Sequence, residues 1–157
     1  RIMKILMVCL GNICRSPLAE GIMKTKLPEH CLVDSAGTIS MHEGQHPDKR
    51  AIAVAKNHGI DISQQRSRPI TPADLRNFDK IYCMDLSVME DVISLAENET
   101  QREKIQLLRE AAGDTGQRTD VFDPYYGGMD EFEEVYHILD KATTVVAQKL
   151  LSANASL

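Results

Sequence analysis

Short apolar runs alternate along the chain with stretches whose apolar residues recur every three or four positions. Runs of the first kind predict four strands, at residues 4–8, 32–33, 80–84 and 105–108. Spacing of the second kind predicts helices at residues 17–26, 48–58, 86–96 and 129–151. Strands that alternate with helices in this way predict parallel β-α-β units, and therefore an α/β fold.

Residues that start and stop helices support these boundaries. Pro17 fits a first helical turn, where its missing N–H is no loss, and Gly59 is suited to a C-terminal stop. Thr71 and Asp74 have the spacing of a helix start, with a capping side chain and a carboxylate in the first turn. The second strand is expected to end in a turn at residues 34–37.

One domain is expected to span residues 3–151. A chain of 157 residues, 43% of them hydrophobic, suits a single core, and neither a linker nor a repeat interrupts the pattern. We interpret Met3 as the natural start, residues 1–2 as foreign to the natural protein, and residues 152–157 as a frayed tail. Residues 109–128 lack periodicity but end in an aromatic stretch, which favours a functional loop over a tether.

Composition excludes several classes of function. The net charge of −5 and the lack of a basic stripe argue against nucleic-acid binding, and no apolar run approaches the roughly 20 residues that span a bilayer. No secretory leader is evident, and the four cysteines form no compact disulfide framework, so a reduced, cytoplasmic setting is expected. The cysteines also lack zinc-site spacing, and we interpret all five histidines as surface or packing residues, so no metal is expected.

The first predicted strand is followed directly by the sequence C-L-G-N-I-C-R-S, from Cys9 to Ser16, and then by a helix. A loop between a buried strand and a helix N-terminus points several backbone N–H groups in one direction, where the helix dipole adds positive potential. Gly11 and Asn12 both tolerate the left-handed backbone of a tight turn. The loop therefore predicts a site for an anion such as phosphate.

Cys9 and Arg15 would supply the reactive groups of this loop. A helix N-terminus and a nearby guanidinium favour the thiolate, the nucleophilic form of cysteine. Arg15 offers a planar fork for two phosphoryl oxygens, and the hydroxyl of Ser16 would hydrogen-bond the sulfur. An isolated cysteine is often a packing residue, but the strand before this loop and the helix at Pro17 favour catalysis. The loop has one glycine and no lysine, which argues against a nucleotide-binding loop.

Two motifs together resemble those of low-molecular-weight protein tyrosine phosphatases: C-L-G-N-I-C-R-S-P at residues 9–17 and D-P-Y-Y-G at residues 123–127. Shorter matches lie between them, at residues 34–38, 47–51 and 83–85. The resemblance covers nearly the whole chain, from residue 3 to residue 151. It implies a single domain with a four-stranded parallel sheet flanked by helices on both faces. This flavodoxin-like or Rossmann-like arrangement, the phosphotyrosine phosphatase I fold, has its site at the carboxyl ends of the strands.

The resemblance also assigns roles to particular residues. It implies Cys9 as the nucleophile that forms a phosphocysteine, Arg15 as the ligand of the phosphoryl oxygens, and Asp123 as the general acid and base. Asn12 and Ser16 match the positions that hold the loop and tune the thiolate. The implied phosphate-binding residues are Leu10, Gly11, Asn12, Ile13, Cys14, Arg15 and Ser16. Neither a metal nor an organic cofactor is implied.

Chemistry gives independent support for Asp123. A phenol leaves with a pKa near 10, so a positioned acid would contribute roughly 10²–10⁴-fold to the rate. Asp123 precedes Pro124 in the aromatic loop, where a general acid would be well placed. Its alternative role is that of a turn-forming aspartate, which is common before proline.

The substrate pocket is expected to be lined by Ile13, Met41, Tyr125 and Tyr126. The two tyrosines match family wall positions and would stack on a phosphotyrosine ring; alternatively, they pack the loop onto the domain. Met41 stands near where many relatives carry an aromatic residue, and would make a softer wall. The implied partner is a phosphotyrosine-containing protein, with a bacterial tyrosine kinase as one candidate.

Three related functions serve as alternatives. Protein-arginine phosphatases share the scaffold but carry threonine at the position of Ile13, so Ile13 favours phosphotyrosine. Thioredoxin-coupled arsenate reductases need two further relay cysteines, and Cys83 has no second cysteine in the helix that follows it. A catalytically silent phosphotyrosine-binding module would have lost Cys9, Arg15 or Asp123, and all three are present.

Cys14 raises a regulatory hypothesis. Two thiols in one loop would form a disulfide under peroxide and so protect Cys9 from irreversible oxidation, and the family resemblance supports this role. The alternative is a small buried residue that packs beneath the loop.

Overall fold

A four-stranded parallel sheet runs through the computed structural model, which describes residues 2–116 and 119–154. The strands are β1 (Lys4–Cys9), β2 (Leu32–Gly37), β3 (Lys80–Cys83) and β4 (Ile105–Leu107). The helices are α1 (Arg15–Lys24), α2 (Lys49–Asn57), α3 (Pro72–Asn77), α4 (Leu86–Ile93), α5 (Glu99–Glu103), α6 (Leu108–Ala111) and α7 (Met129–Asn154). The strand order is β2-β1-β3-β4 and every pairing is parallel, which confirms the expected sheet.

Helices cover both faces of the sheet because the side chains of β1 alternate in direction. Ile5 and Met7 belong to one core cluster, together with residues of α1, α2 and α7. Leu6 and Val8 belong to the other, together with residues of α3 and α4. All four side chains are fully buried, which explains why the sequence of β1 is a nearly continuous apolar run. The prediction of helices on both faces is confirmed.

The second strand is longer than its sequence predicts. Residues 34–37 continue β2, and the turn that we expect there is wrong. The parallel ladder pairs Asp34 with Leu6 and Gly37 with Cys9, so β2 extends as far as β1 does. Pairing with β1 therefore overrides the turn preference of the sequence D-S-A-G.

The last helix is also longer than expected. It runs to Asn154, because neither glycine nor proline follows residue 151 to stop it. The expected tail thus begins inside α7, and residues 155–157 lie outside the described residues, as does Arg1. Although α7 has 26 residues, neither it nor another of the described helices combines the length and apolarity needed to cross a bilayer.

Two short helices are missing from the sequence-based assignment. α5 and α6 span five and four residues, which is too short for a periodic pattern to appear. α6 takes up the start of the expected loop at residues 109–128, and Leu108 begins this helix instead of ending β4. The predicted helix start at Thr71 is confirmed: the Thr71 N–H donates to the Asp74 carboxylate at 2.8 Å.

The helices that follow β1 and β3 leave these neighbouring strands in opposite directions. α1 packs on one face of the sheet and α4 on the other. The loops after β1 and β3 therefore diverge and open a crevice at the carboxyl ends of the strands. In open α/β sheets this is where ligands bind.

Candidate active site

The loop at residues 9–16 joins β1 to α1 at this crevice, and backbone hydrogen bonds fix its shape. The Thr38 N–H donates to the Cys9 carbonyl at 3.0 Å, and the Asp48 N–H donates to the Ile13 carbonyl at 2.8 Å. One half of the loop is thus tied to the segment after β2, and the other half to the start of α2. These bonds hold both halves of the loop in the shape of a cradle.

Cys9 lies at the base of this cradle, where its side chain is almost completely buried. Its Sγ accepts a hydrogen bond from the Asn12 N–H at 3.3 Å and lies 3.0 Å from the Ser16 Oγ. The Asn12 N–H offers a hydrogen to the sulfur, and the Ser16 hydroxyl is within hydrogen-bond distance of it. The sulfur therefore has polar partners on two sides, unlike a cysteine that only fills the core.

Asn12 holds the loop in its shape. It adopts the left-handed backbone conformation, with φ of 56°, whereas Gly11 does not. The side-chain amide of Asn12 donates to the Ser16 Oγ at 2.7 Å and to the Ser35 Oγ at 3.0 Å, and its Oδ1 accepts from the Arg68 N–H at 3.0 Å. These bonds offset the strain of the positive φ and orient the Ser16 hydroxyl beside Cys9.

A buried carboxylate stands behind this network. Glu20 on α1 accepts a hydrogen bond from Ser35 at 2.7 Å and pairs with Lys24 at 2.7 Å. Burial raises the pKa of Glu20 above its ordinary value, although the hydrogen bonds from Lys24 and Ser35 oppose this shift. Glu20, Ser35 and Asn12 therefore connect α1 and β2 to the loop beside the nucleophile.

Gly37 lets β2 approach the loop closely. A Cβ atom at this position would lie 2.7 Å from the Leu10 carbonyl oxygen and 3.1 Å from the Asn12 Cβ. The first contact is with backbone that is itself hydrogen-bonded, so the loop could not move aside without changing its shape. Glycine is required here for close approach, although its backbone conformation is ordinary.

Arg15 begins α1 and is buried beside Cys9. Its Nη1 donates to Asp85 Oδ2 at 2.7 Å and to the Val121 carbonyl at 2.9 Å, and its Nη2 lies 3.7 Å from Asp123 Oδ2. Burial alone would lower the pKa of Arg15, but Cys9, Asp85 and Asp123 outweigh burial and raise it. The guanidinium is therefore a permanent, oriented positive charge in the cleft.

The loop that carries Asp123 is attached to α2 by one arginine. Arg50 donates to the carbonyls of Gly127, at 2.7 Å, and Tyr125, at 3.0 Å, and its guanidinium lies 4.5 Å above the Phe132 ring. Asp123 Oδ1 accepts from the Tyr125 N–H at 3.0 Å. The loop is thereby held with one carboxylate oxygen engaged and the other facing Arg15.

A cleft of about 320 Å³ lies above the loop. It is lined by Cys9, Leu10, Gly11, Ile13, Cys14, Arg15, Ile39, Met41, His42, Asp123, Tyr125 and Tyr126. The four expected pocket residues are all among them, although Met41 and Tyr126 are largely exposed at the rim. Two larger clefts on the described surface, of about 540 and 700 Å³, contain neither a cysteine nor an arginine.

Sequence reasoning missed several residues of the site, chiefly Asp85, Arg50 and His42. Asp85 lies two residues after the end of β3 and caps α4 by accepting from the Val88 N–H at 2.8 Å. Its position just after a buried strand was a usable signal. Arg50 sits in the first turn of a predicted helix, where nothing in the sequence indicates a contact with Gly127. His42 shares the cleft with Met41, one residue away.

The other cysteines differ sharply in placement. Cys14 is buried and lines the same cleft as Cys9. Burial, followed by the charges of Asp48 and Cys9, raises the pKa of the Cys14 thiol, so it is protonated at neutral pH. Cys83 is fully buried in the core cluster on the other face of the sheet, and burial raises its pKa as well. Cys83 is therefore poorly placed to relay a disulfide from Cys9.

Within the described residues, three metal-ligating side chains come within reach of one another at one place, outside this cleft. They are His58, just after the end of α2, and Glu133 and His137 on α7. The cleft itself offers a thiol, a guanidinium, backbone N–H groups and one carboxylate, which suits the direct binding and protonation of a phosphate ester.

Comparisons with known proteins agree with this chemistry. The sequence model of the family "Low molecular weight phosphotyrosine protein phosphatase" matches residues 4–156. A relative of that name from Schizosaccharomyces pombe is 38% identical over 139 residues, covering 85% of this chain and 87% of its own. The Homo sapiens relative of the same name is 40% identical over 138 residues, covering 84% and 85%.

Solved structures give the same result for the fold. A protein tyrosine phosphatase from Entamoeba histolytica, with Hepes in its active site, superposes with a TM-score of 0.86 at 38% identity, covering 99% of each chain. Wzb from Vibrio vulnificus, in complex with benzylphosphonate, superposes with a TM-score of 0.84 at 32% identity, covering 95% of this chain and 99% of its own.

Proposed function

Because the chain belongs to the low-molecular-weight phosphotyrosine protein phosphatase family and is a protein tyrosine phosphatase, we propose that it acts through a covalent phosphocysteine on Cys9. The main support is the environment of the Cys9 sulfur, which contacts the Asn12 N–H at 3.3 Å and the Ser16 Oγ at 3.0 Å. The guanidinium of Arg15 and the carboxyl of Asp123 line the same cleft.

In the first step the Cys9 thiolate attacks phosphorus while the bond from phosphorus to the phenolic oxygen breaks. Asp123 enters as the carboxylic acid and gives its proton to the departing oxygen, so that tyrosine leaves as a neutral phenol. The products of this step are the S-phosphocysteine and the Asp123 carboxylate. Asn12 and Ser16 stabilise the thiolate before the attack.

In the second step water attacks the phosphocysteine. The Asp123 carboxylate takes a proton from this water, the phosphorus–sulfur bond breaks and inorganic phosphate forms. The sulfur leaves as a thiolate, which the Ser16 hydroxyl and the Asn12 N–H stabilise again. One residue thus serves as acid and then as base, and the enzyme returns to its starting state.

Arg15 and the loop backbone bind the phosphoryl oxygens through both steps. Asp85 and the Val121 carbonyl both accept from Nη1 of Arg15, which leaves its other N–H groups as a fork for the phosphate. The phosphate-binding residues are proposed to be Leu10, Gly11, Asn12, Ile13, Cys14, Arg15 and Ser16. Because these donors are already oriented, little reorganisation is needed as charge redistributes in the transition state.

The walls of the cleft favour an aromatic phosphate ester. Ile13, Met41, Tyr125 and Tyr126 are proposed to contact the phosphotyrosine ring, with Tyr125 edge-on to Tyr126 at 5.1 Å between ring centroids. The Wzb relative binds benzylphosphonate, an aromatic phosphonate, and this supports the same ligand class here. Ile13 presents an aliphatic surface that suits a phenyl ring.

The protein substrate is proposed to be a phosphotyrosine-containing protein, with a bacterial tyrosine kinase as one candidate. We place this activity in the cytoplasm, because a nucleophilic thiol requires the reduced state that cytosolic thiol systems maintain.

Cys14 is proposed to protect the nucleophile. After peroxide converts Cys9 to a sulfenic acid, the Cys14 thiol displaces water and forms a disulfide, which thiols later reduce. Both residues line one cleft, and the raised pKa of Cys14 leaves Cys9 as the first thiol to react. We expect thiols to restore peroxide-treated wild type but to restore Cys14→Ser poorly. Equal recovery of the two proteins would reject this role.

The proposed function is tested by Cys9→Ser with a phosphotyrosine peptide as substrate. We expect turnover to fall to the background rate, while Cys31→Ser, which changes a cysteine outside the cleft, retains wild-type activity. Wild-type activity in Cys9→Ser would reject the mechanism. Circular dichroism of both variants shows whether the fold is intact.

A further inference from the structure

Two histidines and a glutamate meet where α2 packs against α7, away from the catalytic cleft. His58 is the C-cap residue that follows the last residue of α2, and Glu133 and His137 lie one turn apart on α7. The sequence alone indicates surface or packing roles for these histidines, since it shows no partner for them. His58 and Glu133 are 75 positions apart in the chain. The fold joins them into one cluster, the His58–Glu133–His137 cluster.

The nitrogen and oxygen atoms of this cluster converge on one point. Glu133 Oε1 lies 2.6 Å from the Nε2 of His58 and 3.0 Å from the Nε2 of His137. All three ligand atoms lie within 4.8 Å of one another. Ligands of a tetrahedral zinc ion lie about 3.3 Å apart, given bonds of about 2.0–2.1 Å. Small side-chain rotations would bring the three atoms to that spacing.

Packing already orients the imidazole rings. The His58 ring stacks on the Tyr136 ring, with 3.9 Å between ring centroids and an interplanar angle of 10°. The His137 ring stands edge-on to the His58 ring, with 5.6 Å between their centroids. Tyr136 is buried, so the surface that supports His58 is rigid. Oriented rings reduce the conformational entropy that a metal site would have to remove.

We propose that the His58–Glu133–His137 cluster is a surface site for a divalent transition metal of the zinc class. Two neutral imidazole nitrogens and one carboxylate oxygen suit such an ion, whereas Mg²⁺ and Ca²⁺ prefer oxygen ligands throughout. Three protein ligands leave the fourth position for water. All three side chains are partly exposed, so an ion reaches them from solvent without opening the fold.

Binding at this site would clip α2 to α7. Phe132, next to Glu133, lies beneath Arg50, and Arg50 holds the Asp123 loop. The effect that we infer is on stability, since an ion that binds the folded state alone raises the midpoint of thermal unfolding. This inference does not depend on the proposed phosphocysteine mechanism.

The experiment is calorimetric titration of the reduced protein with Zn²⁺. We expect wild type to bind one equivalent at this site, and His58→Gln and His137→Gln each to weaken that binding by at least about tenfold. His30→Gln, which changes a histidine elsewhere on the surface, should bind as wild type does. His137 is largely exposed, so its replacement should leave the fold intact.

Co²⁺ spectra and thermal melts complete the test, because Zn²⁺ also binds free thiols. Bound Co²⁺ should show the bands of nitrogen and oxygen ligation, and those bands should be lost in His137→Gln. Zn²⁺ should raise the melting temperature of wild type and His30→Gln, but not that of His137→Gln. The proposal is overturned if Zn²⁺ does not bind, if its binding and effect on melting are equal in all variants, or if the cobalt spectrum shows thiolate ligation alone.

Discussion

Asp123 has to donate a proton in one step and accept one in the next, and its surroundings leave it free for both roles. One carboxylate oxygen is fixed by the Tyr125 N–H, and the other faces the cleft 3.7 Å from Arg15. Close to half of the side chain remains exposed, so water can reach it. The carboxylate of Asp123 is thus oriented but remains accessible to solvent.

We expect Asp123→Asn to lower kcat/KM for a phosphotyrosine peptide by roughly 10²–10⁴-fold, because an amide cannot protonate the leaving phenolate. The loss should be smaller for p-nitrophenyl phosphate, whose phenol is a stronger acid and needs less protonation. Steady-state kinetics with both substrates measure this difference. Asp120→Asn, in the same loop, is the control. Equal losses for the two substrates would argue against a role as general acid.

At the residue scale, the functional groups that can be predicted from the sequence are those that lie close together along the chain. Cys9 and Arg15 are recognisable because one loop carries both. The support that Asp85 gives to Arg15 and that Arg50 gives to Gly127 could not be predicted in this way, because these contacts join residues 70 and 77 positions apart. Only the folded sheet brings them together.

At the element scale, the end of β2 sets the shape of the phosphate loop. Gly37 passes so close to the loop that its Cα hydrogen faces the Leu10 carbonyl, and a Cβ there would lie 2.7 Å from that oxygen. The loop itself cannot yield easily, since Asn12 anchors it to Ser16 and Ser35. Strand and loop therefore form one rigid unit.

Gly37→Ala should lower kcat/KM more than tenfold and destabilise the protein by about 1–3 kcal/mol, because overpacking against fixed backbone displaces the loop. Kinetics and urea unfolding measure the two effects. Gly59→Ala is the matched control: its φ of +80° makes alanine unfavourable, but nothing lies within 4 Å and the residue is outside the cleft. It should lose stability and keep activity. Unchanged kinetics in Gly37→Ala would refute the role of this contact.

Elements with a clear apolar pattern, including the short strands β3 and β4, are predicted well, whereas short helices are not. β1 and α7 follow from their apolar patterns, because burial imposes those patterns on the sequence. The sequence pattern predicts a turn at the last residues of β2, but pairing with β1 keeps these residues extended. α5 and α6 contain too few residues for any period to be visible.

At the scale of the whole molecule, alternation of strands and helices predicts the α/β class but not which strands are neighbours. The order β2-β1-β3-β4 places β1 beside β3. The helices that follow these strands, α1 and α4, cover opposite faces of the sheet. The crevice that results collects the loop of Cys9, the carboxylate of Asp85 and the loop of Asp123. This arrangement depends on pairing between strands that are distant in the sequence, so it cannot be predicted from local sequence patterns.

The stability of the whole fold should depend on pH through Glu20. Burial holds its pKa above the ordinary value of 4.5, so the stabilisation from this group is present at pH values below that and is lost as pH rises through the raised pKa. The free energy of unfolding of Glu20→Gln, taken as a difference from that of wild type, should therefore be higher at about pH 7 than at about pH 4. Urea unfolding at both pH values measures this difference.

Glu99→Gln provides the control for removing a surface carboxylate. A stability difference between Glu20→Gln and wild type that is the same at both pH values, or that grows toward acid, would contradict the assignment of Glu20 as a buried group with a raised pKa.

The proposed phosphocysteine is tested most directly by rapid quenching of the enzyme with a phosphotyrosine peptide that carries labelled phosphate, followed by digestion and peptide mapping. We predict label on the peptide that contains Cys9 in wild type and in Cys14→Ser, at early times and in proportion to active enzyme. Cys9→Ser should carry none. Turnover of the substrate by wild type with no label on Cys9 at any quench time would contradict the mechanism.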